Sequence, residues 1–443
     1  MGSMAAESGH GDHQIDGRFN RRAVLVEEAQ RRVLAAAGTV ASEHVPLAEC
    51  GGRRLSRELR ATCDWPPFAR AGLDGYAVRA ADTALASPSN PATLRVVDTV
   101  AAGGLALAAV EAGTAARVMT GAAVPEGADA VVMLEQTAEA VAGGEKAALI
   151  KAAARPGQNV APRGEEFRLG SPVAAPGELL TPGHAALLGT FGYAAVPVYK
   201  RPRVAVFATG SELLPVEAPL APGQIRDSNS AMVAALIREC GAEPVLCGTL
   251  PDELAALREA LARVSAAVDM IITTGGVSVG DYDAMAELLR GLASYSSSSP
   301  APAPSMLLFN RVSMRPGSPT SAALLDGKLV LALSGNPGAC FVGFELLAAP
   351  ALRAMQGDPS PAAQAIIARL SSDIGKGSPH VRYVRAKLRF GGDGIVYADP
   401  LAFGKSSMMA SLAEADGLAV IPSGSQGSKE GDVVQVLLLK RTC

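Results

Sequence analysis

Apolar residues recur at helical spacing over residues 23–37, with Glu27, Glu28, Arg31 and Arg32 on the opposite face, which predicts an amphipathic helix ended by Gly38. From Pro66 to about Lys151 the pattern changes to short Val and Ala runs broken by turns at residues 101–104 and 125–127. That pattern predicts a small, mostly β region. Thr181 reads as the N-cap of a short helix running to about Phe191, and residues 194–200 then lead into a new region.

The new region alternates strand and helix. Residues 203–208 form an apolar run followed by the turn TGSEL, and a helix over 229–240 closes at Gly241. A strand follows at 243–247, then a helix over 252–266 with Leu254, Leu257, Leu261 and Val264 on one stripe, then a strand at 268–273. Such βαβαβ text implies right-handed crossovers and a doubly wound parallel sheet covered on both faces, with ligands bound beyond the strand C-termini. Residues 293–305, containing SYSSSSPAPAPS, read as a surface loop. Residues 322–333 read as a hairpin turning at Asp326-Gly327, delivering the chain to the loop Ser334, Gly335, Asn336, Pro337 and then to a helix over about 338–355. Beyond residue 361 short alternating strands with glycine turns predict a separate all-β domain reaching the C-terminus.

At 443 residues, two to four domains are expected, and 49% hydrophobic residues suffice to build their cores. With 40 basic and 43 acidic residues the net charge of −3 argues against a nucleic-acid or anionic-lipid surface, so any anion is bound locally. The apolar stretches 184–198 and 338–352 are short and interrupted by His184 and Glu345, so neither is expected to span a membrane. Six cysteines without a CxxC pair suit a reduced, cytoplasmic compartment, and five scattered histidines argue against a His-rich metal centre. Residues 1–20 are polar and are expected to be a disordered tail.

The stretch TTGGVSVGDYD at residues 273–283 carries the most chemistry. Gly275 and Gly276 at a strand end let backbone N–H groups approach an anion, Ser278 adds a hydroxyl, and the carboxylates of Asp281 and Asp283 suit a hard divalent cation. Two further strand-end loops, TGSEL with Glu212 and SGNP with Ser334, Asn336 and Pro337, are expected on the same sheet edge, which favours a phosphate-containing substrate. Glu212, Asp252, Asp281 and Asp283 at one rim beside a polyphosphate imply Mg²⁺ between them, although helix capping explains Asp252 at least as well. Arg311 and Arg315, in FNRVSMRPG, are expected to alternate onto one strand face and clamp an oxyanion. Asp74-Gly75 by itself is a turn, and Thr120 by itself a loop residue.

These pieces in this order resemble the MoeA family of molybdopterin molybdenumtransferases, which includes the E domain of gephyrin. The carriers are LDGYAVRAADT at 73–83, MTGAAVPEGADAVVMLE at 119–135, PRGEEF at 162–167, TGSEL, TTGGVSVGDYD, and SGNPGACFVGFELLAAPALRAMQG at 334–357. The resemblance implies a homodimer of α/β multidomain subunits. Their parts would be a discontinuous linker domain (residues 21–65 and 155–200), a β-rich domain (66–154), a molybdopterin-binding doubly wound α/β domain (201–358) and a C-terminal β-barrel (359–443). It also implies a composite active site in which the β-rich domain of one subunit completes the α/β domain of the other. The implied reaction inserts molybdenum from molybdate into adenylylated molybdopterin, with Mg²⁺ and release of AMP, downstream of a molybdopterin adenylyltransferase.

Carried over by motif, Asp281 and Asp283 would manage metal, molybdate or pyrophosphate, while Gly275, Gly276 and Ser278 contact the pterin phosphate. Glu212 and Asp252 would line the rim. Asp74, Thr120 and Glu166 would enter from the second and linker regions, and Arg311, Arg315, Arg385 and Ser406 would ring the anion site. Three departures stand out. Ser318 replaces the lysine of the family's PGKP, Ser334 the proline of its PGNP, and Ala71-Gly72-Leu73 the Ser-Ala-Met before its DGYA. A lost cation at a phosphate costs roughly 1–3 kcal/mol. Two other readings stay open: a second enzyme on the α/β fold, such as a molybdopterin adenylyltransferase or a CinA-type hydrolase, and a gephyrin-like scaffold with weakened catalysis. The β-rich region and all-β C-terminus are extra to the former.

Overall fold

The computed structural model describes residues 23–250, 253–277, 285, 287–288, 305–375, 377–401, 408–424 and 426–439. The expected tail and nearly all of the low-complexity loop fall outside these. The chain divides into two units.

One unit comprises Val45–Gly51 and Arg57–Val196. Its centre is a six-stranded sheet of β1 (Gly75–Val78), β2 (Ala92–Val100), β3 (Thr114–Val118), β4 (Ala130–Met133), β5 (Thr137–Ala142) and β6 (Glu145–Ile150) in the order β4-β1-β3-β2-β6-β5. Only the β2–β3 pairing is parallel. All four residues of β1 are buried, because Tyr76 and Val78 enter one apolar cluster with Leu94, Val132 and Ile150 while Ala77 enters another with Val100, Val118 and Val131. Asp74-Gly75 is therefore no turn: Gly75 opens a central strand, paired with Val118 on one side and Met133 on the other. Glu135 falls in the single 3₁₀ turn Leu134–Gln136 after β4. Further along, Thr181 caps the helix α2 (Pro182–Thr190) as expected, its hydroxyl accepting from His184 N–H while the His184 ring accepts from Thr181 N–H.

The other unit holds the described residues of Met1–His44, Gly52–Ser56 and Pro197–Cys443. Its first sheet contains β7 (Arg203–Ala208), β8 (Glu243–Thr249), β9 (Met270–Thr274), β10 (Met306–Phe309), β12 (Ser321–Leu325) and β13 (Lys328–Leu333), ordered β8-β7-β9-β13-β12-β10. The pairings among the first four strands are parallel, and the β13–β12 and β12–β10 pairings are antiparallel. Alternation along β7, β9 and β13 sends Val204, Val206, Met270, Ile272, Leu329 and Leu331 to one face. Ala205, Phe207, Ile271 and Val330 go to the other. The first face is covered by α1 (Val26–Ala36), α3 (Asn229–Glu239) and the long helix Pro337–Met355. The second face packs on α4 (Leu254–Ser265), whose cap is Glu253, its carboxylate accepting from Ala255 and Ala256 N–H. Asp326 (φ 49°) and Gly327 (φ 77°) make the expected tight turn between β12 and β13. Helix Pro337–Met355 contains one π turn, Phe344–Ala348, and is long and apolar enough to cross a bilayer, but 89% of its apolar window is buried in this unit, as in a core helix.

The second sheet of this unit is a closed barrel of β14 (Ala365–Leu370), β15 (Val381–Phe390), β16 (Val396–Pro400), β17 (Gly417–Ile421) and β18 (Val433–Leu438), ordered β15-β16-β14-β18-β17 and closed by β15–β17 pairing. The two-residue strand β11 (Met314–Arg315) adds to it in parallel with β15. Arg311 and Arg315 thus do not share a strand face. Phe309 ends β10 and Arg311 lies before β11, outside any strand, because the chain turns tightly between them: Met314 N–H donates to Val312 C=O and Val312 N–H to Ser318 C=O.

Candidate functional site

The chain passes from β7 through α3 to β8 on one side, then through α4 to β9 on the other, so the sheet order reverses between β7 and β9. A crevice for ligands opens beyond the C-termini at such a point. Three chain segments are tied together there. Thr209 N–H donates to Thr274 C=O (2.9 Å) and Gly275 N–H to Leu333 C=O (2.9 Å). The Asn229 side-chain amide donates to Gly335 C=O (2.8 Å). Gly275 has φ 91°, and a Cβ there would sit 2.6 Å from both Thr209 C=O and Thr209 Oγ1, so only glycine lets the segments meet. Glu212 is exposed, and its carboxylate folds back against the backbone of Gly210. The hydroxyls of Thr273 and Thr274 and the amide oxygen of Asn229 are buried without a hydrogen-bond partner among the described residues.

Next to this crevice, in the same unit, a cavity of about 390 Å³ opens between the barrel and the Ser334–Pro337 loop. Arg311, Arg315, His380, Arg382 and Arg385 line it, with Ser318, Ser334 and Asn336; every charged side chain among these described lining residues is basic. Arg385 is buried and its guanidinium donates to Ser411 Oγ (2.9 Å). Burial pulls its pKa below the ordinary arginine value. Ser334 Oγ accepts from Asn336 N–H, and the Asn336 side-chain oxygen accepts from Ala339 N–H, capping the long helix beside Pro337. The arrangement provides a concentrated positive field with oriented hydroxyl and amide groups, suited to an oxyanion.

In the β-rich unit, the Asp74 carboxylate accepts from both the backbone N–H and the hydroxyl of Thr120, each at 2.7 Å. Two motifs 46 residues apart thereby form one exposed polar group at the ends of β1 and β3. The Thr120 backbone N–H, then its hydroxyl, hold the Asp74 carboxyl below the usual carboxylate range. The Thr120→Val protein should therefore show an Asp74 pKa moved upward but still below the usual range, because the backbone donor remains; an NMR pH titration reads this. The sign follows: the depressed pKa adds stability present above the unfolded-state pKa and lost as pH falls through the folded one. An unchanged Asp74 titration would remove the hydroxyl contact. Glu166, from the same unit, is exposed and lies 3.9 Å from the Arg70 guanidinium.

The structure thus brings Gly275, Ser334, Asn336 and Pro337 to one sheet edge with Arg311, Arg315 and Arg385 beside them, and pairs Asp74 with Thr120 separately. Gly276 follows at φ 66°. Asp252, Ser278, Asp281, Asp283 and Ser406 lie outside the described residues, within which no group of three or more His, Cys, Asp or Glu side chains is placed to hold a metal ion. Sequence reasoning missed Asn229, His380 and Arg382. The run HVRYVR on an apolar-alternating strand was a signal for the last two.

Comparison with known proteins finds three matched regions. Residues 24–192 match the MoeA N-terminal region (domain I and II), 205–354 the probable molybdopterin binding domain, and 367–439 the MoeA C-terminal region (domain IV). The chain is 41% identical to the molybdopterin molybdenumtransferase of Bacillus subtilis (strain 168), over 95% of each chain. It is 38% identical to that of Staphylococcus aureus (strain COL), over 94% of this chain and 96% of that one. Among solved structures, the molybdopterin biosynthesis MoeA protein of Pyrococcus horikoshii OT3 superposes with a TM-score of 0.77 at 31% identity, covering 94% of this chain and all of that one. With three matched regions in the family's order and near full-length relatives at this identity, the chain belongs to the MoeA family.

Proposed function

We propose that this protein is a molybdopterin molybdenumtransferase of molybdenum cofactor biosynthesis, moving molybdenum from molybdate into adenylylated molybdopterin with departure of AMP. The observation that carries this reading is the all-basic cavity of Arg311, Arg315, His380, Arg382 and Arg385 opening beside the Gly275–Gly276 loop at the reversal point of the α/β sheet. Arginine forks neutralise and orient the tetrahedral oxyanion, and the close-approaching backbone around Gly275 receives the pterin phosphate. Ser334 and Asn336 hold the loop that borders both. Asp281 and Asp283, which follow Gly275 and Gly276 in the sequence, would hold Mg²⁺, which when bound would supply charge neutralisation at the phosphoanhydride.

Asp74, Thr120 and Glu166 lie on the other unit, so the reading assigns them to a composite site completed by a second subunit in a cytoplasmic homodimer. The substrate comes from a molybdopterin adenylyltransferase. The test is rescue of molybdoenzyme activity in a strain lacking its own insertase, together with AMP release from adenylylated molybdopterin by the purified protein. A dimer that neither rescues nor releases AMP would instead support the scaffold reading.

A further inference from the structure

The parallel pairing of β11 with β15 sets Arg315 directly beside Arg382. Both line the cavity described above, and Arg382 is only 8% exposed. Like charges on neighbouring strand positions repel, and burial raises the cost of holding them. The Arg382 guanidinium is accordingly drawn below the usual arginine pKa, first by burial and then by the charge of Arg315. An oxyanion between the two converts this repulsion into attraction.

Position 318 lines the same cavity, three residues after Arg315. Ser318 there serves the backbone: its hydroxyl donates to Val312 C=O (2.8 Å) and accepts from the Arg311 side chain (3.3 Å), so this position brings no charge to the cavity. We infer that Arg382 binds the oxyanion in this cavity, supplying from the barrel strand the positive charge that position 318 lacks. The ligand class is a tetrahedral dianion of the molybdate type, and the inference rests on the cavity being the molybdate site of the proposed function.

Equilibrium dialysis of molybdate against the full-length protein tests this. Arg382→Gln should weaken binding roughly tenfold or more with an unchanged unfolding midpoint. Adding Ser318→Lys to that variant should recover most of the loss, since a positive charge returns to the same cavity. A merely structural role for Arg382 would show no such rescue. Undiminished binding in Arg382→Gln, while Arg315→Gln and Arg385→Gln lose it, overturns the inference and leaves the cavity intact as the molybdate site. Undiminished binding in all three variants overturns the reading of the cavity itself. Should Arg382→Gln not fold, Arg382→Lys decides: it keeps the charge without the fork, so severalfold weaker binding supports the inference and unchanged binding sinks it.

Discussion

The Gly75→Ala protein is expected to have a severely destabilised β-rich unit. A Cβ at this position would stand 2.1 Å from the Val132 carbonyl oxygen and 2.9 Å from its carbon. Neither neighbour is a side chain that can rotate away, because both belong to the backbone of β4, hydrogen-bonded to β1. The strands must separate, and with them the apolar layers on both faces of β1. Overpacking of this kind costs about 3 kcal/mol or more, a large share of the roughly 5–15 kcal/mol that holds a domain together. Urea denaturation would show a markedly lower midpoint for the transition of this unit; an unchanged midpoint would refute the close approach. Because Asp74 immediately precedes β1, a partly folded variant should also lose the Asp74–Thr120 contact. The glycine of the DGYA motif thus answers to strand spacing, and the aspartate before it to chemistry.

The largest loss of activity is expected from Asp281→Asn combined with Asp283→Asn. Asparagine keeps the shape of aspartate and removes its charge, so the fold and any dimer should persist. AMP release should fall by roughly 10²- to 10³-fold or further, the scale seen when one preorganised electrostatic contact to a reacting anion is removed. The chain that leads to them leaves β9 at Gly275, whose N–H is pinned to Leu333 C=O. Single-turnover measurement of AMP with matched circular dichroism checks both halves. Undiminished release would take these two carboxylates out of the mechanism.

How much of this was legible beforehand varied with the range of the forces involved. Strand β7 was read to the residue at Arg203–Ala208, since a parallel strand buried on both faces leaves a continuous apolar run bounded by polar turns. The β12–β13 hairpin was equally plain, because Asp-Gly encodes its own positive φ angles. The Thr181 cap is likewise a local hydrogen-bond preference. The errors fall where distant backbone intrudes. Asp74-Gly75 looks like a turn in a single chain, and becomes a central strand only when β3 and β4 close around it. Arg311 and Arg315 mimic one alternating strand, and Val312 and Met314 between them are both buried in the α/β core, yet the tight turn closed by Met314 N–H on Val312 C=O leaves Arg311 outside β11.

The site divides in the same way. By itself the sequence determined the element order, the family and the glycine-rich strand-end loops, because periodicity, caps and close-approach glycines are properties of contiguous residues. Only the tertiary structure decided which charges share a cavity. Arg315 and Arg382 stand 67 positions apart, and what makes them neighbours is the register between β11 and the barrel, set by the closing of that barrel and the burial of Met314. Asp74 and Thr120 likewise meet through the pairing of β1 with β3. Strand register follows from the sum of many weak contacts across a sheet, and no single stretch of the chain contains it.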